Sequence, residues 1–152
     1  MGYKKRYRGN RDKYSVEHTA FQTSVAAATT TSIVVVPSSN IRGMRKVKHL
    51  TISIAGASSG VGVYWALVYC PEGYSPQAFN VPTAENPSVD LYYANQFVMS
   101  CGVLDFDAGP QRISTRLSRN LNSGDSIVLL LRSVSGELSG LQGVVQYAIT
   151  LQ

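Results

Sequence analysis

Charge is sparse in this sequence and cysteine sparser, and each shortage excludes a class of protein. Only two cysteines, Cys70 and Cys101, occur in 152 residues, far apart and without a CxxC pair. That spacing supports neither a zinc site nor a disulfide framework, so two free, partly buried thiols are expected, in a protein made in a reducing compartment. The two histidines, His18 and His49, belong to no HxH or HExxH pattern, which disfavours a metal or cofactor site; His49 beside Arg45, Lys46 and Lys48 reads as a surface histidine. No run approaches the ~20 apolar residues of a membrane helix, and no apolar stretch follows the N-terminal charges as in a signal peptide. A soluble chain without membrane insertion is therefore expected. No segment carries the pattern of a ten-residue helix.

The charge that exists is concentrated. Lys4, Lys5, Arg6, Arg8, Arg11 and Lys13 stand against Asp12 alone, a balance of +5 that equals the formal net charge of the whole protein. The remainder carries eight basic against eight acidic residues and is neutral. A cationic arm over residues 1–15 followed by a neutral body over residues 16–152 gives one domain with a polyanion-binding tail. Tyr3, Tyr7 and Tyr14 interleave the cations, so phosphate neutralisation and base stacking are both available. Nothing in the arm reads base sequence. A nuclear import signal around Lys4-Lys5-Arg6 is a second use, and a solvated tail the bland alternative.

The body is rich in Val, Ile, Thr, Tyr and Ser and is punctuated by Gly and Pro, the composition of strands joined by tight turns. Period-two patterning predicts strands over Val16 to Ala28, Ile33 to Val36, Lys46 to Ala57, Val61 to Cys70, Leu91 to Val103, Gln111 to Ser118, Ser126 to Val134 and Gly143 to Leu151. A turn is expected at Thr29 to Ser32. In the third strand Leu50, Ile52 and Ile54 share a face, with Lys48 continuing their register. The fourth is apolar on both sides, which predicts cover on both faces. Residues 71–90 hold Pro71, Pro76, Pro82 and Pro87 and read as a long recognition or interface loop. Eight antiparallel strands with one long connection predict an all-β fold, a two-sheet jelly roll; a seven-stranded immunoglobulin-type sandwich competes, but its Cys and Trp spacing is missing.

Catalysis finds no constellation. Gly60-Val61-Gly62 lacks the third glycine of a dinucleotide loop and enters a strand, so it reads as a hairpin turn. Asp105 and Asp107 read as solvated acids flanking a turn, with Ca²⁺ at a subunit junction as the sharper alternative. Arg112, Arg116 and Arg119 form a second basic cluster, in which alternation sends Arg112 and Arg116 to one face. That cluster is either a nucleic-acid-facing surface or a set of edge charges that block stray pairing.

Three segments carry a family resemblance: Val63-Tyr64-Trp65-Ala66-Leu67-Val68-Tyr69-Cys70-Pro71-Glu72-Gly73, then Leu91 to Gly102 with Asn95-Gln96-Phe97-Val98, then Arg116 to Leu129 with Arg119-Asn120-Leu121-Asn122-Ser123-Gly124-Asp125. In order and spacing the chain resembles the small jelly-roll capsid proteins of circular Rep-encoding (CRESS-type) single-stranded DNA viruses. The resemblance implies a homo-oligomeric icosahedral shell of about sixty copies, found in the virion, with assembly in the host nucleus and an unnamed host receptor. Its arms would face inward and neutralise roughly 300 phosphates in all, each reaching at most ~45 Å. This arm is shorter and poorer in Arg than those of many relatives. The arm-plus-body plan is shared by coats of satellite RNA viruses, so the arm alone does not choose DNA over RNA. The competing function is a β-sandwich carbohydrate- or receptor-binding module in which Tyr74 and Phe79 of the long loop bind ligand; an enzyme ranks third.

Overall fold

A computed structural model describes residues 14–57, 60, 62–93 and 97–151. Nine strands occur among them: β1 (Ser15–Val25), β2 (Thr30–Val36), β3 (Arg45–Ala55), β4 (Val63–Cys70), β5 (Val98–Leu104), β6 (Gln111–Ser114), β7 (Arg119–Leu121), β8 (Ser126–Ser133) and β9 (Leu138–Leu151). They form two antiparallel sheets. The first runs β1-β9-β3-β6 with β7 also on β3, and the second runs β2-β8-β4-β5. Consecutive strands repeatedly cross between sheets, so β1 lies beside β9 and β2 beside β8. This is the nested order of a jelly roll, with β6 and β7 as two halves of one strand position.

The core follows from alternation. Val47, Ile52 and Ile54 of β3 and Leu141 and Val145 of β9 face Val63, Trp65 and Leu67 of β4 and Leu129 and Leu131 of β8, all at most 8 % exposed. Truncating one of these leucines would cost about 2–5 kcal/mol. Two glycines make room for rings: a Cβ on Gly143 would lie 2.3 Å from Phe21, and one on Gly102 would lie 3.0 Å from Trp65. In both cases the ring lies over its cross-strand partner.

The third strand departs from strict alternation. His49 has φ 54° and the register of β3 against β9 shifts between Lys48 and Thr51, which is a β-bulge. Arg45 and Val47 therefore point inward with Leu50, Ile52 and Ile54, while Lys46 and Lys48 point outward. Lys48 does not continue the register of Leu50, because one extra residue reverses the parity of everything before it. The same bulge explains why the predicted strand Gln111 to Ser118 is broken. β6 pairs with Thr51 to Ile54 and β7 with Arg45 to Val47, so the interruption falls opposite the bulge, bridged only by Thr115 N–H donating to the Leu50 carbonyl at 3.2 Å.

Other boundaries move for local reasons. The turn expected at Thr29 to Ser32 sits earlier, where Thr29 N–H donates to the Ala26 carbonyl and Ala28 takes φ 54°, so β2 begins at Thr30. The strand expected from Leu91 begins only at Val98. Tyr92 instead lies with the long loop: Phe79 and Tyr92, 0 % and 1 % exposed, pack on Ala66, Val68, Cys70, Val128 and Leu130. The outer face of β4 is thus covered, as expected, and the cover is the chain's own loop. Cys70 is buried but Cys101 is exposed, a correction to the expectation of two partly buried thiols, because Cys101 lines an open groove between the loop residues Pro82 and Pro87 and the edge strand β5.

Candidate nucleic-acid interface

The outer face of the first sheet is assembled by register. Cross-strand partners share a face, so the rows Val16, Ala148 and Lys48, then Lys46 and Asn120, then Val144, Ser53 and Arg112 all point outward. With His18, Ala20, Gln22, Thr51, Ser114, Gln142 and Gln146, this face holds Lys46, Lys48 and Arg112 and not one Asp or Glu. None of the three cations forms an ion pair among the described residues. Lys48 instead lies over the ring of Tyr14, its Nζ 4.8 Å from the centroid, and Tyr14 directly precedes β1. An acid-free cationic surface therefore continues from the strand that bears the arm.

The three segments that carry the family resemblance converge at the same end of the sandwich. Asp125, 4 % exposed, accepts from Tyr69 Oη at 2.5 Å, Glu72 N–H at 3.0 Å and Asn122 N–H at 2.9 Å. The Arg45 guanidinium, 7 % exposed, donates to the carbonyls of Asp125 and Pro37, each at 3.0 Å. A side chain at Gly124, which has φ 84°, would collide with Glu72. Burial, and then the bond to Asp125, push the Tyr69 hydroxyl up to about 12. On the other side of that ring the Arg119 guanidinium sits 4.0 Å from the centroid. Phe97 meets Tyr69 edge-on at 5.9 Å, and Tyr74 meets Phe97 at 5.4 Å.

The arm cations Lys4, Lys5, Arg6, Arg8, Arg11 and Lys13 lie outside the described residues. Arg112 is exposed on the outer face of β6. Arg116 is exposed in the connection between β6 and β7, where strand alternation does not apply, so it does not share a strand face with Arg112. Arg119 pairs with inward-facing Val47 and reaches the end of the sandwich. The three arginines thus occupy three different settings. Lys46 and Lys48 were missed because the bulge was; their i, i+2 spacing in a strand is the signal that would have found them.

The two acids read as a calcium alternative serve the backbone. Asp105 Oδ1 accepts from Asp107 N–H at 3.0 Å, and Asp107 Oδ1 accepts from Gly60 N–H at 3.2 Å. Among the described residues no group of three metal-ligating side chains occurs. Val61 of the glycine turn lies outside the described residues. Phe79, offered as a ligand-binding aromatic, is fully buried, because it seals the second core.

No family model matches the chain, and no curated protein does. Several solved structures do align along most of its length. Desmodium yellow mottle tymovirus aligns at 11% identity over 93% of this chain and 89% of that one, with a TM-score of 0.40. The acid-stable capsid of Helicobacter pylori bacteriophage KHP30 aligns at 10% identity over 89% and 94%, with a TM-score of 0.39. The native virion of Kashmir bee virus at acidic pH aligns at 13% identity over 93% and 73%, with a TM-score of 0.37. The dimeric latent PorU of Porphyromonas gingivalis aligns as well, at 10% identity over 92% of this chain and 13% of that one, with a TM-score of 0.34. The fold assignment rests on the strand order itself.

Proposed function

We propose that this chain is a viral coat protein that assembles with copies of itself into a small closed shell and encloses single-stranded nucleic acid. The observation that carries the reading is the continuity between a +5 N-terminal arm and the acid-free outer face bearing Lys46, Lys48 and Arg112. Polyanion binding by counterion release needs cations free of protein carboxylates, and this surface supplies them without a sequence-reading element. The family resemblance supports the finer terms: about sixty copies in the simplest icosahedral shell, circular single-stranded DNA as the packaged polymer, residence in the virion, and a structural rather than enzymatic role. The arm over residues 1–15 and the body over residues 16–152 then divide the work between genome and shell.

Electron microscopy of the purified protein tests the assembly, with closed particles expected and a stable monomer at high concentration and moderate salt overturning it. Deleting residues 1–13 tests the arm: shells persist while their 260 to 280 nm absorbance ratio falls towards that of protein alone. An unchanged ratio in the deletion would remove the arm from the packaging role.

A further inference from the structure

We propose that Arg119, Tyr69, Phe97 and Tyr74 form a nucleotide site that stacks an unpaired base and holds its phosphate, giving the chain a preference for single strands over duplex. The inference rests on the nucleic-acid reading above and adds to the arm's tyrosines a stacking site held by the fold, since phosphate contacts alone do not separate one strand from two.

The four side chains form a ladder, guanidinium on ring at 4.0 Å, then ring to ring at 5.9 and 5.4 Å, and each is half-buried. A guanidinium held over a ring keeps N–H donors for a phosphate, and the half-buried rings beside it offer apolar surface to a base. Among the described residues Arg119 has no ion pair and no hydrogen-bond acceptor for its guanidinium. Tyr69 is fixed from behind by Asp125, so the platform is set before a ligand arrives. Aromatic faces accept any base, and they accept it only when it is unstacked, which is the condition of a single strand.

The ladder also lies within reach of the arm. Ser15 pairs with Ile149, Ile149 with Val47 and Val47 with Arg119, so the root of the arm and Arg119 share one row across the sheet. Three strand spacings separate them, about 14 Å, against an extended arm length of ~45 Å. A strand held by arm cations therefore passes the platform.

The test is equilibrium binding of the full-length chain to a fluorescent 20-mer of thymidine and to an abasic 20-mer of the same charge, over a range of salt. Stacking is expected to favour the thymidine strand by roughly 5- to 150-fold per engaged base. Phe97→Leu with Tyr74→Leu should bring that ratio towards one with the salt slope unchanged, while Phe97→Tyr, which keeps a ring, retains it. A wild-type ratio of one, or a ratio that survives the double leucine variant, overturns the platform and leaves the arm reading intact. Failure of the wild type to bind either strand overturns both.

Discussion

The two sheets present opposite outer faces, although they share one core. The face of β1, β9, β3 and β6 is open, polar and cationic, with no acid on it. The face of β8 and β4 is apolar, with Ala66, Val68, Val128 and Leu130 fully or nearly fully buried under a loop. That loop, residues 71–93, carries Glu72, Glu85 and Asp90 and no Lys or Arg. A polyanion is therefore attracted to the open face, whereas the covered face offers it one cation, Arg132, whose guanidinium already donates to the Phe79 carbonyl at 2.7 Å. The molecule is electrostatically two-sided even though its body sums to zero, and net charge alone conceals this.

Removing the cover is the strongest way to break the contrast. Phe79→Ala empties the centre of the second core and should cost about 3–5 kcal/mol, read as a lower urea midpoint, with newly exposed apolar surface binding a hydrophobic dye. Neutralising the open face should do the reverse. Lys46→Gln, Lys48→Gln and Arg112→Gln together should leave the urea midpoint nearly unchanged and lower the salt slope of single-strand binding by about two. An unchanged slope would mean that this face does not meet phosphate.

The smallest effect is alkaline and involves Tyr69, which packs on the main core, and Tyr92, which lies in the covered face. Tyr69 and Tyr92 are both pushed up to about 12, chiefly by burial, with Asp125 adding to the rise at Tyr69 and Tyr74 adding at Tyr92. An unfolded tyrosine ionises near 10, so the native state favours the neutral hydroxyls. Their contribution is complete below about pH 10 and is lost as pH rises through 12. Chemical denaturation between pH 9 and 12 should show that decline, and Tyr69→Phe should shallow it. An equal decline in the variant would place the effect elsewhere.

Much of the architecture was legible because strands report their own period. Val63 to Cys70 read as covered on both faces, and it is; the eight strand positions and the jelly-roll order agree with the structure. The bulge at His49 was not legible, since Lys46 to Ala57 still alternates when the parity is counted from its far end. Without the bulge the cationic face was read one residue out of phase, which hid Lys46 and Lys48. The loop was legible as a loop, but Phe79 was read as a ligand contact. Its burial depends on Val128 and Leu130, about fifty residues away, and no local pattern encodes that distance. Likewise the motif around Asp125 was recognisable as a pattern, whereas its physical content, a clasp on Tyr69 and Glu72, needed the fold.

The pairing of β1 with β9 sets an order of events during synthesis. Among the described residues β1 has no other strand neighbour, and β9 begins at Leu138. At a translation rate of about 5–20 residues per second, β9 emerges roughly 6–23 s after β1. Through that interval the cationic segment is already made while the surface it continues does not exist. A chain that stops before Leu138 thus carries the cationic segment but has no sheet on which to seat the strand that follows it, so only a finished copy joins that charge to the fold.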